Sequence, residues 1–429
     1  MPTLPSSSPQ PQLDGASLIE QLRRLGEIGA DADAGGRTRL ALTDAERAGR
    51  EQLVAWMREL DLVVRVDRIG NVFGTLPAAH GGTGESDDEG DHHARPLMIG
   101  SHIDTVANAG ALDGCYGVLA GLAVVRALRE AGIAPARPVT VAAFTNEEGV
   151  RYQPDMMGSL VHAGGLDVDA ALDTIGIDGT RLGDELARIG FAGDLAPGSI
   201  VPHAYLELHI EQGPILEAEG VRIGVVENLQ GISWQRVRVR GNANHAGTTP
   251  TRLRHDAGFV AAATAVFLRE LAVQAGTTLA TVGMLRLEPN LINVIPRSAE
   301  FTVDLRDPDE TRLQQAERRL EAFLAELARR EGVTIDTERL VRFEPVRFDA
   351  QLADTIEATA ARLGFTHRRL TSGAGHDAQM IARIAPAAMI FVPSRGGISH
   401  NPREHTDEDQ LIDGARVLLD VVLAQLAGA

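Results

Sequence analysis

Seven histidine, aspartate and glutamate residues stand where short apolar segments end or where glycines surround a turn. They are His102, Asp104, Asp113, Glu147, Glu148, His209 and His400. Any one of them alone is better explained as a structural side chain or a solvated turn. Together they offer imidazole and carboxylate ligands for two divalent ions, one carboxylate to bridge the ions and one to move protons. The residue types therefore favour a metal-dependent hydrolase.

The apolar segments that precede these residues predict the strands of one sheet. LMIGSH (97–102), PVTVAAFTNEE (138–148) and AYLELHIEQG (204–213) are typical of buried strands. GVLAGLAVVRALREAG (117–132) is typical of a helix that ends at Gly132. This alternation predicts an α/β domain with a largely parallel or mixed sheet. Such folds carry their chemistry at the carboxyl ends of the strands, where the polar residues stand.

The pattern of strands and helices in the sequence changes between about 228 and 333. A strand rich in Val and Arg (233–241) and a long Ala-rich helix (about 255–275) are followed by further strands and a helix, which together indicate a compact α+β unit. We predict that this unit is inserted into a catalytic, metal-binding domain made of residues 15–227 and 334–429.

Composition limits the class of protein. Lys and Arg number 41 and Asp and Glu 59, a net charge of −18, which argues against binding to nucleic acid or to an anionic membrane. The single cysteine, Cys115, excludes a disulfide framework within the chain and is typical of a reducing compartment. We find no secretory signal and no stretch that approaches the apolar length of a membrane span. A cytoplasmic enzyme is expected.

Two low-complexity stretches are set apart from the folded domains. Residues 1–14 are rich in Pro, Ser and Gln and are predicted to be disordered. The second stretch, 78–95, interrupts two strand-like segments. His92 and His93 lie in it and could bind metal, but a solvated insertion loop explains them better.

Eight motifs in order give the chain a family resemblance. They are GSHIDTVANAGALDGCYGVLAGL, FTNEEGVRY, HIEQGPILE, GNANHAGTTPT, PNLINVIP, DLRD, SGAGHDA and FVPSRGGISHNPRE. This series resembles the hydantoinase/carbamoylase family of the dinuclear-zinc aminoacylase and carboxypeptidase superfamily, over roughly residues 15 to 427. That family includes N-carbamoyl-L-amino-acid hydrolases, β-ureidopropionases and allantoate amidohydrolases.

The resemblance implies a set of metal ligands. Asp113 would bridge two divalent ions in each subunit. His102 and His209 would complete one site, and Glu148 and His400 the other. Zinc is the first expectation, while manganese, cobalt and nickel accept the same ligands.

The resemblance also implies two supporting carboxylates. Asp104 resembles the carboxylate that orients the imidazole of His102 and fixes its tautomer. Glu147 resembles the general base, which takes a proton from the water held between the metals and passes it to the leaving nitrogen. Because the peptidase branches typically have a carboxylate where His209 stands, this histidine favours a ureido substrate over a peptide.

Substrate contacts are implied at five further positions: Gln212, His245, Asn293, Arg306 and Gly375. Arg306 would clamp a substrate carboxylate, because the planar guanidinium matches it bidentately. The alternative is that Arg306 pairs with a neighbouring carboxylate, Asp304 or Asp307. His245 is a candidate to stabilise the oxyanion, and Gly375 would present its backbone. His376 and Asp377 are explained equally well as functional residues or as caps of the next helix.

One departure from the family pattern concerns the loop that leads to Asp113. Ala109 stands where a second glycine is common, and a positive φ there would cost of order 1 kcal/mol. This change bears on substrate preference and leaves every ligand in place.

These observations predict a metal-dependent amidohydrolase that cleaves the carbamoyl C–N bond of a small carboxylate-bearing ureido compound. N-carbamoyl amino acids and allantoate are not separated by the sequence. A dipeptidase or N-acylamino-acid hydrolase of the same superfamily is the alternative. A catalytically silent binding protein on this fold is disfavoured, because the ligands and the base are intact. The resemblance also implies a homodimer in which the inserted domain, residues 228–333, acts as a lid and mediates dimerisation.

Overall fold

The computed structural model describes residues 11–79 and 95–427. Within them the strands are β1 (Val63–Val66), β2 (Val72–Leu76), β3 (Leu97–His102), β4 (Val139–Phe144), β5 (Ala204–Ile210), β6 (Ile223–Leu229), β7 (Gly231–Arg240), β8 (Leu279–Glu288), β9 (Ser298–Asp307), β10 (Thr334–Phe343), β11 (Val346–Arg347), β12 (His367–Ser372) and β13 (Ala387–Val392). The helices are α1 (Gly15–Glu27), α2 (Asp44–Glu59), α3 (Cys115–Glu130), α4 (Met157–His162), α5 (Val168–Leu172), α6 (Leu182–Arg188), α7 (Ile215–Glu219), α8 (Ala257–Ala275), α9 (Glu310–Glu331), α10 (Ala350–Arg362), α11 (Asp377–Ile381) and α12 (Glu408–Ala427).

Parts of both low-complexity stretches fall outside the described residues, including residues 1–10, His92 and His93. Residues 11–14 are described. Asp14 there is the N-cap of α1, and its carboxylate accepts the backbone N–H of Ser17 at 3.0 Å. Asp14, the last residue of the stretch predicted to be disordered, is therefore hydrogen-bonded to the first turn of α1.

The chain forms two compact units, Met1–Glu227 with Phe348–Ala429, and Asn228–Arg347. The predicted return to the first domain at residue 334 is wrong. Strand β10 begins there and pairs antiparallel with β7, with Thr334 opposite Arg240. A strand that continues the alternating pattern of the inserted unit carries no local signal of which sheet it will join.

The first unit is built on a mixed sheet with the strand order β1-β2-β4-β3-β5-β13-β6. Strands β4, β3, β5 and β13 run parallel to one another, while β1, β2 and β6 join by antiparallel pairs. Every residue of the four parallel strands is buried. Full burial is typical of strands covered on both faces. The predicted α/β class with a mixed sheet is confirmed.

Helix α3 packs directly on the parallel strands. Thirteen of its residues, from Cys115 to Leu128, are buried. Gly117 allows this close approach, since a Cβ there would lie 2.5 Å from the carbonyl oxygen of Leu208 in β5. The helix therefore fixes the turn that precedes it against the ends of β3 and β5.

The second unit is an antiparallel sheet of order β10-β7-β9-β8. The side chains of β9 alternate between buried and half-buried, as a sheet with one covered face requires. Apolar residues of α8 and α9 join those of the sheet in one core, which includes Val237, Leu268, Phe301, Leu305 and Leu320.

Helix α8 corrects one expectation from the sequence. By length and composition it could cross a membrane, although we expected no such stretch. Val260, Leu268 and Leu271 of this helix are buried in the core of the second unit. A core helix passes the same test, so α8 is weak evidence for a membrane span.

Candidate metal centre

Side chains from several strand ends converge around the carboxylate of Asp113. The Nε2 atom of His102, the last residue of β3, lies 3.6 Å from Asp113 Oδ1. The Nε2 atom of His209, in β5, lies 3.2 Å from the same oxygen. All three residues are at most 3% exposed. We call His102, Asp113 and His209 the inner group.

A second cluster uses the other oxygen of the same carboxylate. The Nε2 atom of His400 lies 3.2 Å from Asp113 Oδ2 and 3.3 Å from Glu148 Oε2. We call Asp113, Glu148 and His400 the outer group; the His400 side chain is half exposed. In each group the candidate ligand atoms lie within 4.8 Å of one another. Asp113 thus presents one oxygen to each group, as a bridging ligand would.

The hydrogen bonds of two imidazoles turn their Nε2 atoms toward Asp113. The Nδ1 atom of His209 lies 2.8 Å from the carbonyl oxygen of Ile210, and that of His102 lies 3.0 Å from the carbonyl oxygen of Asp104. A carbonyl oxygen only accepts, so each Nδ1 carries the proton and each Nε2 keeps its lone pair. The backbone therefore selects the tautomer that a metal needs.

Gly114 lets the turn before α3 approach the inner group. Its φ is +63°, and a Cβ at this position would lie 2.4 Å from His102 Nε2. The loop before it also takes one left-handed residue. That residue is Asn108, with φ of +53°, and Ala109 has no positive φ. The strain considered for Ala109 is therefore absent, because the asparagine tolerates this conformation better.

The electrostatics of the cluster fit divalent cations. Burial raises the pKa of Glu148 to about 8, and the neighbouring Asp113 carboxylate adds to the rise. The Asp113 carboxylate raises the pKa of His400 to about 9. A cation among these oxygens would restore the charged carboxylates that burial disfavours. Imidazole and carboxylate donors in this proportion suit zinc and other first-row divalent ions.

Glu147 lies beside the inner group but belongs to neither cluster. It is 8% exposed, and its Oε2 atom lies 3.3 Å from His102 Nε2. Burial raises the pKa of Glu147 well above its usual range. A buried carboxylate with a raised pKa beside the inner group is suited to accept and return a proton.

Asp104 supports the site differently from the prediction. The hydrogen bond to His102 Nδ1 is made by its carbonyl oxygen, while its carboxylate Oδ1 lies 3.6 Å from that nitrogen. The two carboxylate oxygens instead accept the backbone N–H groups of Glu147 and Glu148, each at 3.3 Å. Asp104 therefore holds the loop that carries Glu147 and Glu148.

Two predicted substrate residues lie in the first unit. Gln212 follows β5 with a φ of +56°, and its Nε2 atom donates to Asp113 Oδ2 at 2.7 Å. Gly375 packs beside Met156, whose Cε atom would lie 3.0 Å from a Cβ added to this glycine. The fold thus brings Gln212 to the carboxylate that the inner and outer groups share.

The second unit brings His245 and Asn293 together. Their loops pair, with the N–H of Ala246 donating to the carbonyl of Asn293 at 2.9 Å and His245 opposite Val294. The Nδ1 atom of His245 accepts the N–H of Gly247 at 3.1 Å. Its Nε2 atom therefore carries the ring proton and is free to donate to a ligand oxygen.

Arg306 lies at the other end of the same sheet. In the register of β7 with β9, Arg306 is opposite Ile232 and Ser298 is opposite Arg240, which leads to the His245 loop. A rise of about 3.3 Å per residue separates these two ends of β9 by roughly 26 Å. The guanidinium of Arg306 binds Asp304, at 2.9 Å from Nη2 to Oδ2, which is the alternative that the sequence left open.

Several residues near the cluster had no assigned role in the sequence analysis. Glu207, His376 and Glu404 are buried and Ser399 is partly buried; of these, only His376 had been considered, as a functional residue or a helix cap. His376 is the N-cap residue of α11 without a side-chain capping bond, and its ring packs edge-on against His209 at 4.5 Å. Glu207 lies two residues before His209 in β5, and this spacing already places both side chains on one face of the strand in the sequence. Ser399 and Glu404 flank His400 within the motif FVPSRGGISHNPRE, from which the sequence analysis took a role only for His400.

Comparisons with known proteins find relatives over nearly the whole chain. A family model described as peptidase family M20/M25/M40 matches residues 98–424. The N-carbamoyl-L-amino-acid amidohydrolase of Rhizobium meliloti is 40% identical over 408 residues, which are 95% of each chain. The allantoate amidohydrolase of Bacillus subtilis (strain 168) is 35% identical, over 95% of this chain and 96% of the relative.

A solved structure is similar over the whole fold. An amidase of the hydantoinase/carbamoylase family from Burkholderia multivorans has a TM-score of 0.91 and 41% identity, covering 97% of this chain and 99% of that one. The sequence and the structure are therefore both similar to members of one family over nearly the whole chain. The chain therefore belongs to the hydantoinase/carbamoylase group of peptidase family M20/M25/M40 and is a hydrolase that acts on amide bonds.

Proposed function

We propose that this hydrolase cleaves the carbamoyl C–N bond of a small ureido compound that carries a carboxylate. The observation that carries the proposal is the arrangement around Asp113, whose two oxygens face two donor groups while Glu147 lies 3.3 Å from His102. Relatives named for N-carbamoyl-L-amino acids and for allantoate support the ureido class. N-carbamoyl amino acids and allantoate are both retained as substrates to be tested.

We propose that the inner and outer groups each hold one divalent ion, with zinc as the first choice and manganese, cobalt or nickel as alternatives. When bound, such ions polarise a carbonyl and lower the pKa of water. Asp113 would hold both ions, which accounts for its central place among the three imidazoles.

Glu147 is the proposed general base and acid. Its carboxylate takes a proton from the attacking water as the water oxygen adds to the carbamoyl carbon. The protonated carboxyl then returns that proton to the leaving nitrogen as the C–N bond breaks. An N-carbamoyl amino acid would yield the free amino acid and carbamic acid, which decomposes to ammonia and carbon dioxide. Asp104 keeps the base in place through its bond to the Glu147 N–H.

Five residues are proposed to bind substrate: Gln212, His245, Asn293, Arg306 and Gly375. Arg306 would take the substrate carboxylate in place of Asp304, and the Nε2–H of His245 would donate to the developing oxyanion. Arg306 and the loop that carries His245 lie at opposite ends of the β7–β9 pair. A small substrate cannot reach both ends, so one of the two would come from a second copy of the chain.

The second unit is therefore proposed as a lid that also dimerises. Helix α8 carries an exposed apolar stripe at seven-residue spacing, made of Phe259, Val266 and Val273. Strand β8, at an edge of the sheet, adds the exposed Leu279 and Leu285. An apolar helix face next to a free strand edge suits pairing with an identical copy. We propose a cytoplasmic homodimer on these grounds and on the single-cysteine composition.

The test is hydrolysis by metal-stripped protein reloaded with zinc, manganese, cobalt or nickel. The panel contains N-carbamoyl-α-amino acids, N-carbamoyl-β-alanine and allantoate, assayed by ammonia release. N-acetyl amino acids and dipeptides are assayed by release of free amine. Metal-dependent ammonia from one ureido class supports the proposal and names the substrate. Turnover of acyl or peptide compounds alone would contradict it and favour the N-acylamino-acid hydrolase or dipeptidase alternative.

A further inference from the structure

Glu404 makes a contact that the proposed reaction does not yet use. It lies four residues after His400 and is 9% exposed. Its Oε1 atom accepts the backbone N–H of Leu112 at 2.8 Å and that of Asp113 at 3.3 Å. One carboxylate on the His400 loop therefore holds the backbone of the loop that ends in the bridging ligand.

The other oxygen of Glu404 reaches the same ligand through a hydroxyl. Ser399 Oγ lies 3.1 Å from Glu404 Oε2 and 3.0 Å from Asp113 Oδ2. Gln212 Nε2 donates to the same Asp113 oxygen at 2.7 Å and lies 3.3 Å from Ser399 Oγ. Asp113 Oδ2 is the oxygen that faces His400. These hydrogen bonds therefore hold the Asp113 oxygen that faces the outer group.

The loop before Asp113 is shaped to receive this carboxylate. A Cβ on Gly110 would lie 2.2 Å from Glu404 Oε1 and 2.3 Å from Glu404 Cβ. Any larger residue would displace Glu404 or the loop. The contact between the two segments is therefore close and depends on a glycine at this position.

The two metal groups differ in how they are supported. His102 and His209 lie in β3 and β5, which are held by backbone pairing. His400 and Asp113 lie in loops, and Glu404 joins these loops. A ligand on a loop depends more on such side-chain contacts than a ligand on a strand does.

We infer that Glu404 is a positioning residue that fixes the Asp113 loop to the His400 loop and so sets the affinity of the outer group for its ion. The inference rests on the proposed function for its link to catalysis. It concerns ion binding itself, which is measured without turnover.

The test is zinc titration of the metal-free full chain against a chromophoric chelator, which resolves the two equivalents. Glu404→Ala is expected to weaken one equivalent by about 10- to 100-fold and to leave the other within about threefold. In a His400→Ala background, which lacks the outer group, Glu404→Ala is expected to have no further effect on the remaining ion. Glu404→Gln keeps an oxygen for the two N–H groups and should restore most of the lost affinity.

Two further variants make the result decisive. Ser399→Ala removes only the bridging hydroxyl, and the same equivalent should weaken by a smaller factor. Asp349→Ala is the matched control, because this carboxylate accepts the N–H of Leu352 at 2.9 Å as the N-cap of α10. It should lower Tm and leave both ions unchanged.

Equal weakening of both ions, or two unchanged ions in a folded Glu404→Ala protein, would overturn the inference. If Glu404→Ala does not fold, unchanged ion binding by Ser399→Ala overturns it in the same way. The proposed function fails separately, when wild-type protein binds two ions but releases no ammonia from any ureido compound.

Discussion

The carboxylate of Asp104 holds the backbone of Glu147, with Oδ1 accepting its N–H at 3.3 Å, while the carbonyl of Asp104 accepts from His102. A single residue thus orients an imidazole of the inner group and places the proposed base. The neighbouring N–H of Glu148 binds the second carboxylate oxygen. Loss of this carboxylate should therefore affect turnover more than metal content.

Asp104→Asn is expected to lower kcat by about 10- to 100-fold, because its amide nitrogen would face one of the two N–H donors. Both ions should remain bound. Steady-state kinetics together with metal analysis of the purified protein measures this. Asp167→Asn is the matched control, since Asp167 accepts two backbone N–H groups at 3.0 Å on an exposed helix end. An unchanged kcat in Asp104→Asn would mean that the loop needs no such support.

Glu147→Gln is expected to lower kcat by about 10²- to 10⁴-fold, because the amide cannot accept the proton of the attacking water. KM and the number of bound ions should change little. Glu211→Gln is the control, as Glu211 is also buried but its carboxylate caps α7 through Ile215 and Leu216. Near-normal turnover by Glu147→Gln with both ions bound would show that another group moves the proton.

Removal of metal is expected to abolish activity and to lower Tm. A ligand at 100 times its Kd stabilises the native state by about 2.7 kcal/mol for one site. Calorimetry with increasing zinc should show a rise in Tm that is reduced in His209→Ala. His255→Ala is the control, since His255 Nδ1 bonds the carbonyl of Glu331 in the second unit. A zinc-dependent rise equal in wild type and His209→Ala would place the ion elsewhere.

Arg306→Lys is expected to raise KM for the carboxylate-bearing substrate by about 10- to 100-fold, since lysine loses the bidentate fork of a charge-assisted hydrogen bond. A smaller change in kcat should accompany it. Arg238→Lys provides the comparison, because Arg238 is likewise a strand arginine that binds a carboxylate, Glu300, at 3.0 Å. If both variants show the same KM, Arg306 does not bind the substrate carboxylate.

The pH dependence of folding should carry a signature of His162. Burial lowers the pKa of His162 to about 4, below the value of about 6.5 in an unfolded chain. The unfolded state therefore binds more protons between these values, so stability falls as pH drops from 6.5 toward 4, by about 3 kcal/mol in all. Denaturant titrations from pH 7 to 4 should show this loss in wild type and a smaller one in His162→Gln.

Asp67 has a pKa in the same range, so the prediction is tested by comparing wild type with His162→Gln rather than from wild type alone. Burial raises the pKa of Asp67 to about 6, so the native state binds the extra proton there and stability rises as pH falls through 6. The two groups oppose each other in the total curve, and the difference between wild type and His162→Gln isolates the histidine. An identical pH slope in both proteins would contradict the assignment.

The donor chemistry and the order of the α/β elements were accessible from the sequence. Apolar runs that end in His102, Glu148 or His209 are local patterns, because a buried strand and its polar end are written in consecutive residues. The resemblance then supplied the roles of Asp113 and His400, which no local pattern could have joined.

Tertiary structure decided the contacts that depend on distant segments. It moved the support of His102 from the Asp104 carboxylate to its carbonyl, and it brought Glu404 onto the Asp113 loop. It also assigned β10 to the second sheet and put His245 and Arg306 at opposite ends of that sheet. Hydrogen-bond partners and strand registers are chosen among residues far apart in the chain, so residue types determine the chemistry and the fold determines its geometry.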